Sequence, residues 1–167
     1  QHVYEERDRD PKGRTISNKG GWQSRYFIED DKIYSIIGKI ICQLPILNKG
    51  INFNMDCWFN INGKGSYNIK HVHPNSDLSG VLWLKTPMDC GNIVLESPHN
   101  FSSYMEMQSY TEKFKYDTGF NYNYVFKPTE GKMLIFPSSL EHSVEINESD
   151  EDRISVSFNI KFDLLNN

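Results

Sequence analysis

His71-Val72-His73-Pro74-Asn75-Ser76-Asp77-Leu78-Ser79-Gly80 is the stretch on which the reading of this chain turns. In an extended strand, residues two apart point to the same face, so His71 and His73 present two imidazoles side by side. Pro74, Asn75 and Ser76 then supply the chemistry of a turn, and Leu78 starts the next apolar run. The chain contains only five histidines, so such a pair calls for a reason.

Working outward, Tyr67 and Ile69 share the parity of the two histidines and extend the strand backwards. Ile51 to Ile61 alternates imperfectly before them, and Asn62-Gly63-Lys64-Gly65 reads as the hairpin loop between the two. Ser79 to Thr86 and Gly91 to Glu96 read as the following pair of strands. Further strands are expected at Tyr122 to Lys127, Lys132 to Phe136, Glu141 to Asn147 and Arg153 to Phe162, with Pro128-Thr129-Glu130-Gly131 as a turn. Residues 97–121 lack clean alternation and read as a long, partly helical excursion able to cover a pocket mouth. The aromatics between 101 and 126 are the expected substrate-side wall.

One helix stands out. Ile33, Ile36, Ile37, Ile40, Ile41 and Leu44 recur at helical spacing after a candidate cap at Asp30 or Asp31, and Pro45 stops them. Residues 1–21 are charged and turn-rich and read as an arm or loosely held strand, anchored by Trp22-Gln23-Ser24. One helix followed by seven or eight short strands favours a mainly β jelly roll in a single domain spanning residues 1–167.

Composition narrows the function. A net charge of −4 without a Lys/Arg cluster argues against nucleic-acid binding. No run approaches the roughly 18 apolar residues of a membrane span, and no signal peptide is visible. Cys42, Cys57 and Cys90 are odd in number and widely spaced, which points to a reducing, cytoplasmic setting rather than a disulfide framework.

The chemistry gathers on a few side chains. His71, His73 and a third histidine, His142, at the head of another strand, offer a facial set of metal nitrogens with open positions. His2 and His99 read as ordinary surface or core histidines. Eleven positions after His142 stands Arg153, with Ser155 on the same strand face. A guanidinium beside a hydroxyl suits a carboxylate held by two hydrogen bonds.

The blocks Ser17-Asn18, Gly21-Trp22-Gln23-Ser24, Trp58-Phe59-Asn60, His71 to Val81, Phe136 to Val144 and Arg153 to Asn159 resemble a bacterial and phage-associated family of 2-oxoglutarate- and Fe(II)-dependent oxygenases, similar to prolyl hydroxylases. The resemblance covers about residues 17–162 and implies a distorted double-stranded β-helix with Fe(II) and 2-oxoglutarate as cofactor and cosubstrate. In that family a His-x-Asp pair and a distal His hold iron, and an Arg about eleven residues later binds the far carboxylate of 2-oxoglutarate. His71, His142 and Arg153 fill those places, with Ser155 as the companion of Arg153; His73 stands where the carboxylate belongs. Asp77 is an alternative oxygen donor to His73, Asn75 a candidate hydrogen-bond donor to a group that ligates the metal, and Tyr67 a candidate hydrogen-bond partner of the cosubstrate.

The expected activity is hydroxylation of an unactivated C–H bond in a small molecule or peptide, with an amino-acid side chain as the family-flavoured substrate. A phage-encoded protein would work in the host cytoplasm, and pairing of two copies stays open. Two alternatives stand beside it. One is a cupin-like three-histidine metalloenzyme without 2-oxoglutarate; the other is a non-catalytic phage jelly-roll module for binding or structure.

Overall fold

The computed structural model describes residues 1–26, 32–45, 52–98, 108–118 and 123–163. The candidate cap at Asp30 or Asp31, His99 and most of the 101–122 aromatics lie outside them. In chain order the elements are α1 (His2–Arg9), β1 (Asn18–Lys19), β2 (Trp22–Gln23), α2 (Lys32–Ile41), β3 (Asn52–Asn62), β4 (Tyr67–His71), β5 (Leu78–Lys85), β6 (Ile93–Glu96), α3 (Glu112–Thr118), β7 (Asn123–Phe126), β8 (Met133–Pro137), β9 (His142–Val144) and β10 (Arg153–Asp163).

The strands form two antiparallel sheets, one in the order β1-β4-β9-β6-β7 and the other β2-β3-β10-β5-β8. This is the expected jelly roll, two facing sheets that do not close into a barrel. The expected local pairings are corrected, however. β3 and β4 belong to different sheets, as do β5 and β6. The segment Asn62 to Gly65 is therefore a crossing between sheets and not a hairpin. The fully buried Asn147 makes that crossing possible, because its Nδ2 donates to the carbonyls of Asn62 (2.7 Å) and Glu151 (2.9 Å). Its backbone oxygen accepts from Gly65 N at 2.7 Å, and its N donates to Ser66 O at 2.9 Å. Bent backbone that would otherwise lack partners is thus satisfied from a distant loop.

The sheet containing β10 is two-faced. Along β10, Ile154, Val156, Phe158 and Ile160 are buried in the main apolar core with Cys57, Phe59 and Ile61 of β3. The alternating residues Arg153, Ser155, Ser157 and Asn159 turn into the space between the sheets. The strand's period of two therefore separates a dry core from a polar interior.

Helices cover the apolar face. In α2, Ile37 and Ile41 are fully buried, and Ile33, Tyr34 and Leu44 pack around them. Ile36 and Ile40, at the margin of the same stripe, stay exposed. Within the N-terminal arm His2–Arg9 form a helix, which corrects the strand expected there, whereas Asn18–Lys19 do pair as the short strand β1. In α1 only Val3 is buried, but Tyr4 packs on the core and its hydroxyl donates to Asp152 at 2.8 Å. Glu5 in the first turn, Arg7 and Arg9 in the last, and an Arg9–Glu6 ion pair suit the helix dipole. A tertiary anchor and charge placement, neither visible as apolar periodicity, account for it.

Candidate metal centre

His71 ends β4, and His142 begins β9 directly opposite it in the antiparallel register. His73 lies just beyond the end of β4, where its backbone N donates to Ser138 O at 3.0 Å. One ligand-competent atom from each of the three histidines lies within 4.8 Å of the others. The spacing read from the sequence and the cross-strand register thus converge on one point.

Hydrogen bonds orient two of the rings. Nδ1 of His71 is 2.7 Å from Ile69 O, and Nδ1 of His142 is 2.9 Å from Leu140 O. A carbonyl can only accept, so in both rings Nδ1 carries the proton and Nε2 keeps its lone pair. The His73 ring is held between its neighbours, 4.9 Å from His71 and 5.0 Å from His142, and 5.9 Å from Trp58. Phe136 packs edge-on against His142 at 4.8 Å.

Burial makes all three rings poor bases toward protons. His73 is pushed down to about 3, first by burial and then by its two histidine neighbours. His142 falls to about 4 through burial, against the raising effect of the Leu140 carbonyl. Burial lowers His71 as well. At neutral pH the cluster is therefore three uncharged imidazoles, the form in which histidine binds a metal without first releasing a proton. Three nitrogen donors suit Fe(II) and also accept Zn, Cu or Ni.

These histidines stand in the wall of a cavity of about 390 Å³ between the two sheets. Arg153 and Ser155 line the same cavity and are buried, the arginine to 3 % exposure. Nη1 of Arg153 donates to Cys90 O at 2.6 Å and Gly91 O at 3.1 Å. These bonds fix one edge of the guanidinium. Burial lowers its pKa to about 10, which leaves it cationic at pH 7. Among the described residues no carboxylate pairs with it.

Other expected site residues lie elsewhere. β4 carries an irregularity between Asn68 and His71, which breaks the strict alternation assumed from the sequence. Asn68 therefore faces the cavity with His71, while Tyr67 is exposed and outside its lining. Asn75 is exposed at φ 68°, the left-handed turn position that asparagine tolerates, and is also outside the cavity. Asp77 is outside the histidine cluster, because its Oδ2 accepts from Phe162 N at 2.8 Å and its Oδ1 lies 3.4 Å from Lys161 Nζ. His2 packs edge-on against Phe59, far from this chemistry on the other face of the sheet. Of the 101–126 aromatics that are described, Phe114, Tyr124 and Phe126 are exposed and do not line the cavity.

Sequence reasoning passed over Gln23, Asn60 and Asn62, three buried amides that line the same cavity. Asn60 and Asn62 alternate with Phe59 and Ile61, and that pattern was the available signal. Asn60 Nδ2 donates to Ser157 Oγ at 2.9 Å and tethers β3 to β10 across the cavity floor.

Known proteins share the fold of this chain. Residues 56–159 match the model of a family described as "Putative 2OG-Fe(II) oxygenase". No curated protein matches the chain in sequence. Among solved structures, a prolyl-4-hydroxylase of Pseudomonas putida is similar with a TM-score of 0.61 at 15% identity, over 86% of this chain and 70% of that one. A prolyl hydroxylase of Trichoplax adhaerens, solved with a hypoxia inducible factor peptide fragment, has a TM-score of 0.59 at 14% identity over 91% and 67%. HygX of Streptomyces hygroscopicus, solved with nickel and 2-oxoglutarate, has a TM-score of 0.58 at 10% identity over 95% and 77%. At these identities the likeness concerns the fold alone.

Proposed function

The chain belongs to the 2OG-Fe(II) oxygenase family, and from that premise we propose that it is an Fe(II)-dependent oxygenase with 2-oxoglutarate as cosubstrate. The observation that carries this reading is Arg153, a buried cation that lines the histidine cavity with no carboxylate of its own. An unpaired buried charge is costly, and a ligand carboxylate relieves that cost.

His71, His73 and His142 would hold the metal through nitrogen lone pairs already free of protons. When bound, the metal and the keto acid would supply oxidative decarboxylation to succinate and carbon dioxide, with one oxygen atom of O₂ delivered to a C–H bond. The protein's share is geometry and environment. Arg153, with Nη1 fixed on Cys90 and Gly91, has the rest of its guanidinium to grip a far carboxylate, and Ser155 stands two residues along the same face. Trp58, Trp83 and Phe136 give the cavity apolar walls, which strengthens each charged contact beside them. The substrate would be a small molecule or a peptide.

A second reading has its own observation. With His73 in place of a carboxylate, the cluster is all imidazole, which suits a cupin-like three-histidine metalloenzyme that needs no keto acid. Anaerobic addition of Fe(II) with and without 2-oxoglutarate separates the two. The oxygenase reading requires a weak visible charge-transfer band from the chelate and succinate on admission of oxygen. Bound iron with neither signal would favour the second reading.

A further inference from the structure

We propose that Asn159 is a specificity-determining residue whose side-chain NH₂ donates to an uncharged carbonyl oxygen of the substrate, at the end of the cavity away from Arg153. The proposal rests on the reading above only in taking this cavity as the active site. Asn159 lines the cavity, and its Oδ1 accepts from Ser79 Oγ at 2.8 Å. Ser79 Oγ in turn lies 2.8 Å from Ser138 Oγ, and the two serines are sealed, at 1 % and 0 % exposure.

Counting protons fixes which way this chain of bonds runs. Each hydroxyl has one proton to give. Among the described residues the Ser138 hydroxyl has no partner but Ser79, so only a bond from Ser138 to Ser79 keeps its buried proton paired. Ser79 then gives its own proton to Asn159, which takes it on Oδ1. The amide is thereby held with its nitrogen outward. Nδ2 has no partner among the described residues, and no sealed side-chain nitrogen or oxygen there lacks one. Nδ2 therefore opens onto the cavity with two protons to give.

Position separates this donor from the cosubstrate. Arg153 and Asn159 stand six residues apart on one face of β10, about 20 Å of extended strand. A five-carbon diacid gripped by Arg153 is too short to reach the short side chain at the other end. Asn159 belongs instead to the His73 end. Ser138, where the chain of bonds begins, accepts from His73 N at 3.0 Å through its carbonyl. Trp58, 5.9 Å from the His73 ring, pairs with Ser157, the neighbour of Asn159 on the same face.

Charge selects the class of ligand. Across the ladder to β3 the partner of Asn159 is Asp56, which is exposed and has no cation paired to it among the described residues. Side chains directly opposed across two strands are close enough to interact, so a carboxylate held at Nδ2 would be repelled. The oxygen of an amide or peptide bond accepts the same hydrogen bonds without that penalty.

The test uses the full chain labelled with nitrogen-15, with no metal and no 2-oxoglutarate added. The Asn159 NH₂ signals, assigned by their absence in Asn159→Asp, are followed during titration with N,N-dimethylacetamide and, separately, acetate. Dimethylacetamide carries a carbonyl and no N–H, and it is expected to move the signals along a saturation curve while acetate leaves them in place. Read from the Trp58 indole N–H, Asn159→Asp should weaken dimethylacetamide binding about tenfold. Ser79→Ala should weaken it several-fold because the amide is free to turn over, whereas Ser138→Ala should not, since Ser79 still donates to Asn159. Equal shifts with acetate, shifts with neither probe, or equal losses in the two serine variants would overturn the proposal. So would a loss of 2-oxoglutarate affinity in the Fe(II) form of Asn159→Ala as large as that in Arg153→Ala. Failure of the unaltered protein to bind 2-oxoglutarate would instead overturn the oxygenase reading and leave the dimethylacetamide titration standing.

Discussion

Phe158 lies directly opposite Gly80 in the β10–β5 ladder, and its ring edge occupies the place a Gly80 side chain would take. A Cβ at Gly80 would also lie 2.7 Å from the Leu134 carbonyl oxygen on the neighbouring strand. Backbone on one side and a fully buried ring on the other leave nothing free to yield. Gly80→Ala should therefore cost about 1–3 kcal/mol, as overpacking does. The check is a lower denaturant midpoint with an unchanged slope. Adding Phe158→Leu should recover part of the loss, because it withdraws the ring that clashes.

The three histidines predict a graded loss of metal. His71→Ala and His142→Ala remove the two ligands whose rings are aimed by backbone carbonyls, so iron retained after desalting should fall close to background. His73→Asp restores the two-histidine, one-carboxylate set and should keep binding while favouring Fe(II) over Cu. Metal analysis of the three variants, with circular dichroism to verify folding, reads the outcome.

Acid should unfold the metal-free protein through the same rings. Burial sets the folded values of His73 at about 3 and His142 at about 4, below the ordinary 6.5. Between about 6.5 and 4 the unfolded chain binds protons that the folded chain refuses, so stability rises with pH there. It is fully present above 6.5 and lost as pH falls through that window. Thermal midpoints measured from pH 8 to pH 4 should drop below 6.5, and His73→Asn should flatten the curve.

Arg153→Ala should reduce 2-oxoglutarate affinity by tenfold to several hundredfold, about the value of a charged hydrogen-bonded contact. Metal content should change little, since Arg153 is not among the clustered ligands. Arg153→Lys keeps the charge but loses the planar fork and should recover only part of the affinity. Parallel loss of metal and cosubstrate would instead reveal a folding role for this residue. Isothermal titration of each variant into its Fe(II) form under anaerobic conditions distinguishes the cases.

Much of the centre could be read from residue parity. His71, His73, His142, Arg153 and Ser155 all line one cavity, because β9 and β10 keep strict alternation where it matters. Tyr67 was misplaced because the irregularity after Asn68 resets which side chain faces inward, and no local residue announces it. The strand pairings inferred from short loops failed for a similar reason. Sequence proximity suggests a hairpin, but the partner that satisfies the Asn62–Gly65 crossing is Asn147, far along the chain. Helix α1 was illegible because it depends on Tyr4 meeting Asp152 rather than on an apolar stripe. The amides of Gln23, Asn60 and Asn62 were overlooked because asparagine within a strand reads as weak patterning, although here it furnishes the cavity.

The two-faced β10 has a further consequence for how such a protein can diversify. Its even-numbered residues from Ile154 to Ile160 fill the core, and its odd-numbered residues from Arg153 to Asn159 face the cavity, where Ser157 and Asn159 also bond to Asn60 and Ser79. Exchanges on one set need not disturb the other. An exchange at Arg153 or Ser155 can therefore reshape the cavity while the hydrophobic ledge on the strand's other face stays as it is.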